Sequence, residues 1–176
     1  MNDFQKRLAT ITYIIDREKK IGKTALTKIL FVTQERFNVP LKYNFSLYLY
    51  GPYTAEISSE IAYLDCSGLI CNKAELINNY IAYDLTTIDN ITANVYGENR
   101  DFIEEYKNVI NNVVDYMSGM PVKELELVAT LVFAWSRFFK EKNKVVKKVQ
   151  EIKPHFAQKE ITEKFDELLQ KDFLTA

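Results

Sequence analysis

Leu64-Asp65-Cys66-Ser67-Gly68-Leu69-Ile70, residues 64–70, reads as the end of a helix, a reversal and the start of a strand. Leu64 seats the helix. Gly68 permits the left-handed turn that closes a helix C-terminus. Leu69 and Ile70 open a strand, with one of them facing a core. Placed between a helix and a hairpin, this joint argues for a winged helix-turn-helix arrangement.

Upstream, Ile57, Ile61 and Leu64 form the apolar face of a helix over about 54–67. Gly51-Pro52 stops what precedes it, and Pro is tolerated in the first helical turn. Residues 43–50 alternate as a strand does, with Phe45, Leu47 and Leu49 on one face and Tyr48 and Tyr50 on the other. Two helices come earlier. One covers 3–19, with Phe4, Leu8, Ile11 and Ile15; the other covers 24–37, capped by Thr24. Downstream, residues 69–71 and 80–85 read as two strands joined around Asn78-Asn79. Residues 86–98 read as a linker. Four helices follow, at about 100–118, 121–141, 143–152 and 157–171, with Phe139 on the apolar face of the second. The expected fold class is mainly α (α+β). A winged-helix-like part over 1–90 carries a small antiparallel sheet, and a helical extension over 91–176 packs on it.

Bulk composition supports a packed interior: 47% of residues are apolar, with 11 Phe and 11 Tyr, and 27% are charged. The net charge of −1 excludes a chain that is basic throughout. Charge is nevertheless uneven. Residues 1–55 carry 9 Lys and Arg against 4 Asp and Glu; residues 56–126 carry 4 against 13; residues 127–176 carry 10 against 7. The opening residues show no leader and no run is long enough to span a bilayer, so a cytoplasmic protein without a membrane partner is expected. Cys66 and Cys71 are then reduced thiols, and the single His155 lies too far along the chain to complete a zinc set with them.

No glycine-rich phosphate loop exists among five isolated glycines. A His-based nucleophile system would have to use His155, whose place after Pro154 suits a capping or surface role better. The pairs Glu56/Glu60 and Glu124/Glu126 read as solvated helix faces. No enzyme, cofactor, metal or small-molecule substrate is indicated.

Four stretches carry a family likeness: Lys23-Thr24-x-Leu26-x-Lys28-Ile29-Leu30-Phe31; Tyr48-x-Tyr50-Gly51-Pro52-Tyr53-Thr54-x-x-Ile57; Glu124-Leu125-Glu126-Leu127-Val128-Ala129-Thr130; and Val149-x-x-Ile152-Lys153-Pro154-x-Phe156. By these the chain resembles the YwgA-like family of bacterial proteins and, more distantly, the Panacea domain of SocA-like antitoxins. The resemblance implies a winged-helix-type core with added C-terminal helices. The nearer family implies no activity; the distant one suggests toxin neutralisation or adaptor work. Without that resemblance, Tyr50-Gly51-Pro52-Tyr53 is simply a strand-to-helix corner and Lys28 a solvated helix residue.

Two features argue against the usual winged-helix reading of DNA. The third helix holds Glu56, Glu60 and Asp65 and no basic residue, and carboxylates repel a phosphate backbone. Residues 38–53 also separate the two helices by far more than the roughly three or four residues of a tight helix-turn-helix. The wing adds only Lys73 against Glu75. Positive charge collects instead at Lys19, Lys20 and Lys23, and at Lys140, Lys144, Lys147 and Lys148 within a basic run over 137–153. These are the candidate contacts for DNA or an acidic partner, or else a solvated face. Tyr48, Tyr50, Tyr53 and Tyr63 are the candidate protein interface, provided the C-terminal helices leave them uncovered. The expected function is therefore a non-catalytic binding module, regulatory or antitoxin/adaptor-like, for a protein partner or a second copy of the chain. DNA binding for transcriptional control is the alternative.

Overall fold

Asn2 starts the first helix. Its side chain accepts from the Gln5 amide, and the Gln5 side chain accepts from the Asn2 amide, a reciprocal cap. The computed structural model describes residues 1–77, 80–88, 91–97 and 99–175, and the described chain is mainly helical with a small antiparallel sheet. The elements are α1 (Asp3–Glu18), β1 (Lys20–Gly22), α2 (Lys23–Phe37), β2 (Ser46–Tyr48), β3 (Gly51–Tyr53), α3 (Ala55–Cys66), β4 (Ile70–Ile77), β5 (Tyr80–Thr87), α4 (Ile91–Gly97), α5 (Arg100–Met117), α6 (Val122–Arg137), α7 (Lys142–Ile152) and α8 (Gln158–Gln170).

The sheet order is β1-β5-β4, antiparallel throughout, with Ile21 opposite Leu85 and Cys71 opposite Thr86. Ile21, Ile70 and Leu85 are buried and tie the sheet to the helices. The joint after α3 forms as its residues require. Gly68 adopts φ +67°, and the Leu69 amide donates back to the Leu64 carbonyl across it. Ile57, Ile61 and Leu64 are fully buried.

The core runs through both halves of the chain, from Leu8 to Leu174. Helix α6 is buried on every side from Leu125 to Trp135, as a central helix is. It packs on α2, whose residues Leu26 to Thr33 are also all buried. The burial of α2 and α6 on all sides brings polar residues on both helices into the interior.

Several expectations are corrected. Gly22, not Thr24, is the N-cap of α2, because Lys20–Gly22 forms a short strand on β5 and delivers the chain to the helix one residue early. The strand over 43–50 shrinks to Ser46–Tyr48. Gly51-Pro52-Tyr53 does not open a helix but returns as β3, paired Leu47 to Pro52 and Tyr48 to Gly51. Helix α3 starts only after Thr54, whose hydroxyl accepts from the Glu56 amide. Residues 86–98 are not a linker: β5 runs through Thr87, and α4 packs on α1. Phe139 lies past the end of α6 and is exposed. The Asn78-Asn79 turn lies outside the described residues.

Candidate functional site

Residues 38–54 link α2 to α3, and the structure pins them almost everywhere except at one tip. Gln34 brackets Tyr43: its Oε1 accepts from the Tyr43 amide at 2.7 Å and its Nε2 donates to the Tyr43 carbonyl at 3.0 Å. The Tyr43 hydroxyl donates to Glu60 Oε2 at 2.5 Å, and Arg7 Nε reaches Glu60 Oε1 at 2.6 Å. Burial pushes the Glu60 carboxyl above its usual range, against the pull of Tyr43 and Arg7. Glu60 is therefore a core anchor and not part of a solvated face, which corrects that expectation. Glu56 is engaged as well, by Arg7 at 3.4 Å and by the Asn44 amide.

The β2–β3 end is held from beneath by buried charges. Lys28 of α2 donates to the Pro52 carbonyl at 2.6 Å. Lys153, just past α7, donates to the Tyr48 and Leu49 carbonyls and pairs with Glu126 of α6 at 2.7 Å. Lys28, Glu126 and Lys153 are between 3% and 5% exposed, so none of them is a solvated helix residue as expected. Gly51 lies against this cluster at φ +87°; a Cβ there would meet Thr130 Oγ1 at 3.4 Å and Lys28 Cε at 3.7 Å. Both the left-handed backbone and the close approach call for glycine. Lys28, Gly51, Glu126 with Thr130, and Lys153, from four separate stretches of the chain, thus converge on one turn.

Burial lowers the Lys28 pKa to about 8; Glu126 opposes that shift and Lys153 adds to it. The folded pKa is below the unfolded value of 10.5, so between the two the unfolded chain binds more protons. Stability should therefore rise as pH climbs from about 8 toward 9.5, by at most about 1.4 kcal/mol per pH unit. Urea midpoints at pH 7.5 and 9.5 measure this. The rise should be smaller in Lys28→Met by the Lys28 share.

Above the cluster the chain is open to solvent. Tyr48 is 60%, Leu49 83% and Tyr50 64% exposed. Leu49 belongs to this tip and not to the apolar face with Phe45 and Leu47, because alternation ends where the chain turns. Tyr53 is half-buried at the tip's base, edge-on to Tyr48 at 5.5 Å and hydrogen-bonded to Ser58. Tyr63 is exposed but packs on Phe4 of α1, so it is not joined to the tip rings by a ring contact.

The candidate basic contacts are largely matched by carboxylates. Lys19 pairs with Asp16, Lys20 with Asp84, Lys144 with Glu141 and Lys148 with Glu151. Lys23 lies over the Tyr83 ring and Lys140 over Trp135, each at 5.2 Å. Lys147 lines a shallow groove between α7 and α8. Lys153 leaves the basic run for the core. The exposed positions of α3 are Ala55, Ser59, Ala62, Tyr63 and Cys66, which offer few donors to a base edge. His155 is half-exposed, with Nε2 3.6 Å from Glu126 Oε1. Among the described residues no cluster of three or more His, Cys, Asp or Glu is gathered as a metal would need, and no helix is long and apolar enough to cross a membrane.

No family model, curated protein or solved structure matches this chain.

Proposed function

We propose that this chain is a non-catalytic, cytoplasmic winged-helix-like module, of regulatory or antitoxin/adaptor kind, that docks a protein on the Tyr48-Leu49-Tyr50 tip. The exposure of three adjacent large side chains on a backbone fixed by buried lysines carries this reading. Aromatic and aliphatic anchors on a rigid turn bind with little ordering cost, which favours interface use over an exposed tip without function. The winged-helix part of the proposal draws on element order: a short strand between α1 and α2 pairs with the hairpin that follows α3. The YwgA-like resemblance points the same way, since its stretches meet beneath the tip. DNA is disfavoured by the carboxylate-matched lysines and the donor-poor face of α3.

Photocrosslinking tests the reading. A crosslinking residue in place of Leu49 should capture one discrete protein in the native cell, and one in place of Lys147 or Ser59 should not. Nucleic-acid adducts from positions 59 or 147, with none to protein from 49, would transfer the function to DNA.

A further inference from the structure

The β4–β5 hairpin carries a second surface, distinct from the tyrosine tip. Residues 70, 72, 74 and 76 share one face with 81, 83, 85 and 87. Near the body this face is core, with Ile70 and Leu85 buried. Farther out the same face is open: Leu76 is 74% and its cross-strand partner Ile81 64% exposed, with Tyr83 beside them. In the order β1-β5-β4, β4 is the edge. The Asn72 amide donates to Asp65 of α3 at 2.9 Å, so Asn72 points its backbone outward. Alternate residues of a strand share an edge, so Ala74 and Leu76 point outward too. No described strand pairs with them. An unpaired, half-apolar edge of this kind is a template for another strand.

We propose that β4 pairs antiparallel with β4 of a second copy, about a two-fold axis at Ala74. Charge selects the copy and the register. On the polar face, an axis at Ala74 sets Lys73 of each copy opposite Glu75 of the other, twice over. An axis at Glu75 instead would oppose two like charges, which destabilises a pair. The small Ala74 side chain meets its own copy at the axis without crowding. The Ala74 residues exchange two backbone hydrogen bonds. The ladder ends there, because Asp65 keeps the Asn72 amide and occupies the edge beside it. The axis is perpendicular to the sheet, so both helical bodies lie on the same side. They flank Leu76, Ile81 and Tyr83, which the isolated chain leaves in water.

Sedimentation of the full chain and two charge variants tests this. The wild type should dimerise. Lys73→Glu and Glu75→Lys should each weaken dimerisation by about tenfold or more, since each turns two attractive cross-strand pairs into two repulsive ones. Mixing the two variants should restore a dimer, because every pair is then complementary. Ala74→Pro should abolish the dimer with circular dichroism unchanged, since proline on the outward edge removes no bond to β5. Tyr48→Ala/Tyr50→Ala should dimerise normally, which separates this proposal from the tip reading. A monomeric wild type, a dimer indifferent to Ala74→Pro, or a mixture that stays monomeric overturns the proposal.

Discussion

Glu126→Ala destabilises the fold by about 3–5 kcal/mol, read as a lowered urea midpoint. Glu126 is the carboxylate that pairs with Lys153, and its charge opposes the shift in Lys28. Removing it leaves two buried ammonium groups without an anion, facing only the carbonyls of Tyr48, Leu49 and Pro52. The loss comes from stranded charge, not lost volume. Glu126→Gln should therefore cost nearly as much, although it keeps the shape. Lys28→Met/Glu126→Leu/Lys153→Met removes all three charges and should recover most of the stability. It should not recover function, since the lysines hold the tip carbonyls. That split between stability and binding distinguishes a positioning cluster from one that only stabilises.

Leu49→Ala and Tyr50→Ala each weaken partner binding by at least about thirtyfold, the effect of losing a buried anchor at an interface centre. Both side chains are exposed in the free protein, so their removal creates no cavity and should leave stability within about 0.5 kcal/mol. Tyr53→Phe should have a smaller effect, because that ring is half-buried and its hydroxyl is shared with Ser58. Isothermal titration with the crosslinked partner, alongside urea melts, reads both quantities.

Much of the helical frame is legible from periodicity because each helix lays an apolar stripe on a neighbour. Ile57, Ile61 and Leu64 are an example, and Gly68 marks their end because a left-handed turn has few alternatives there. Alternation sets Tyr48 and Tyr50 apart from Phe45 and Leu47, but it does not say whether the C-terminal helices cover them; the structure leaves both exposed. The exposure of Leu49 was not legible, since alternation says nothing about where a strand turns. The buried cluster lay beyond local pattern altogether. Lys28, Glu126 and Lys153 each look like solvated helix residues within their own segments, and only the packing of α6 on α2 and the return of α7 bring them together. Glu60 is hidden in the same way, by Arg7 and Tyr43 from distant segments. The single available signal was that the stretches bearing the family resemblance include all three members of the cluster and Gly51. Strand β1 escaped because three residues are too few to show a period.

Binding of the native-cell partner to Tyr48→Ala/Tyr50→Ala and to Lys140→Glu/Lys147→Glu, with and without nuclease, separates docking on the tyrosine tip from binding to nucleic acid. With docking on the tip, the tyrosine variant loses the partner, the lysine variant keeps it, and nuclease changes neither. Loss of a nuclease-sensitive complex in the lysine variant, with the tyrosine variant binding normally, would contradict docking on the tip.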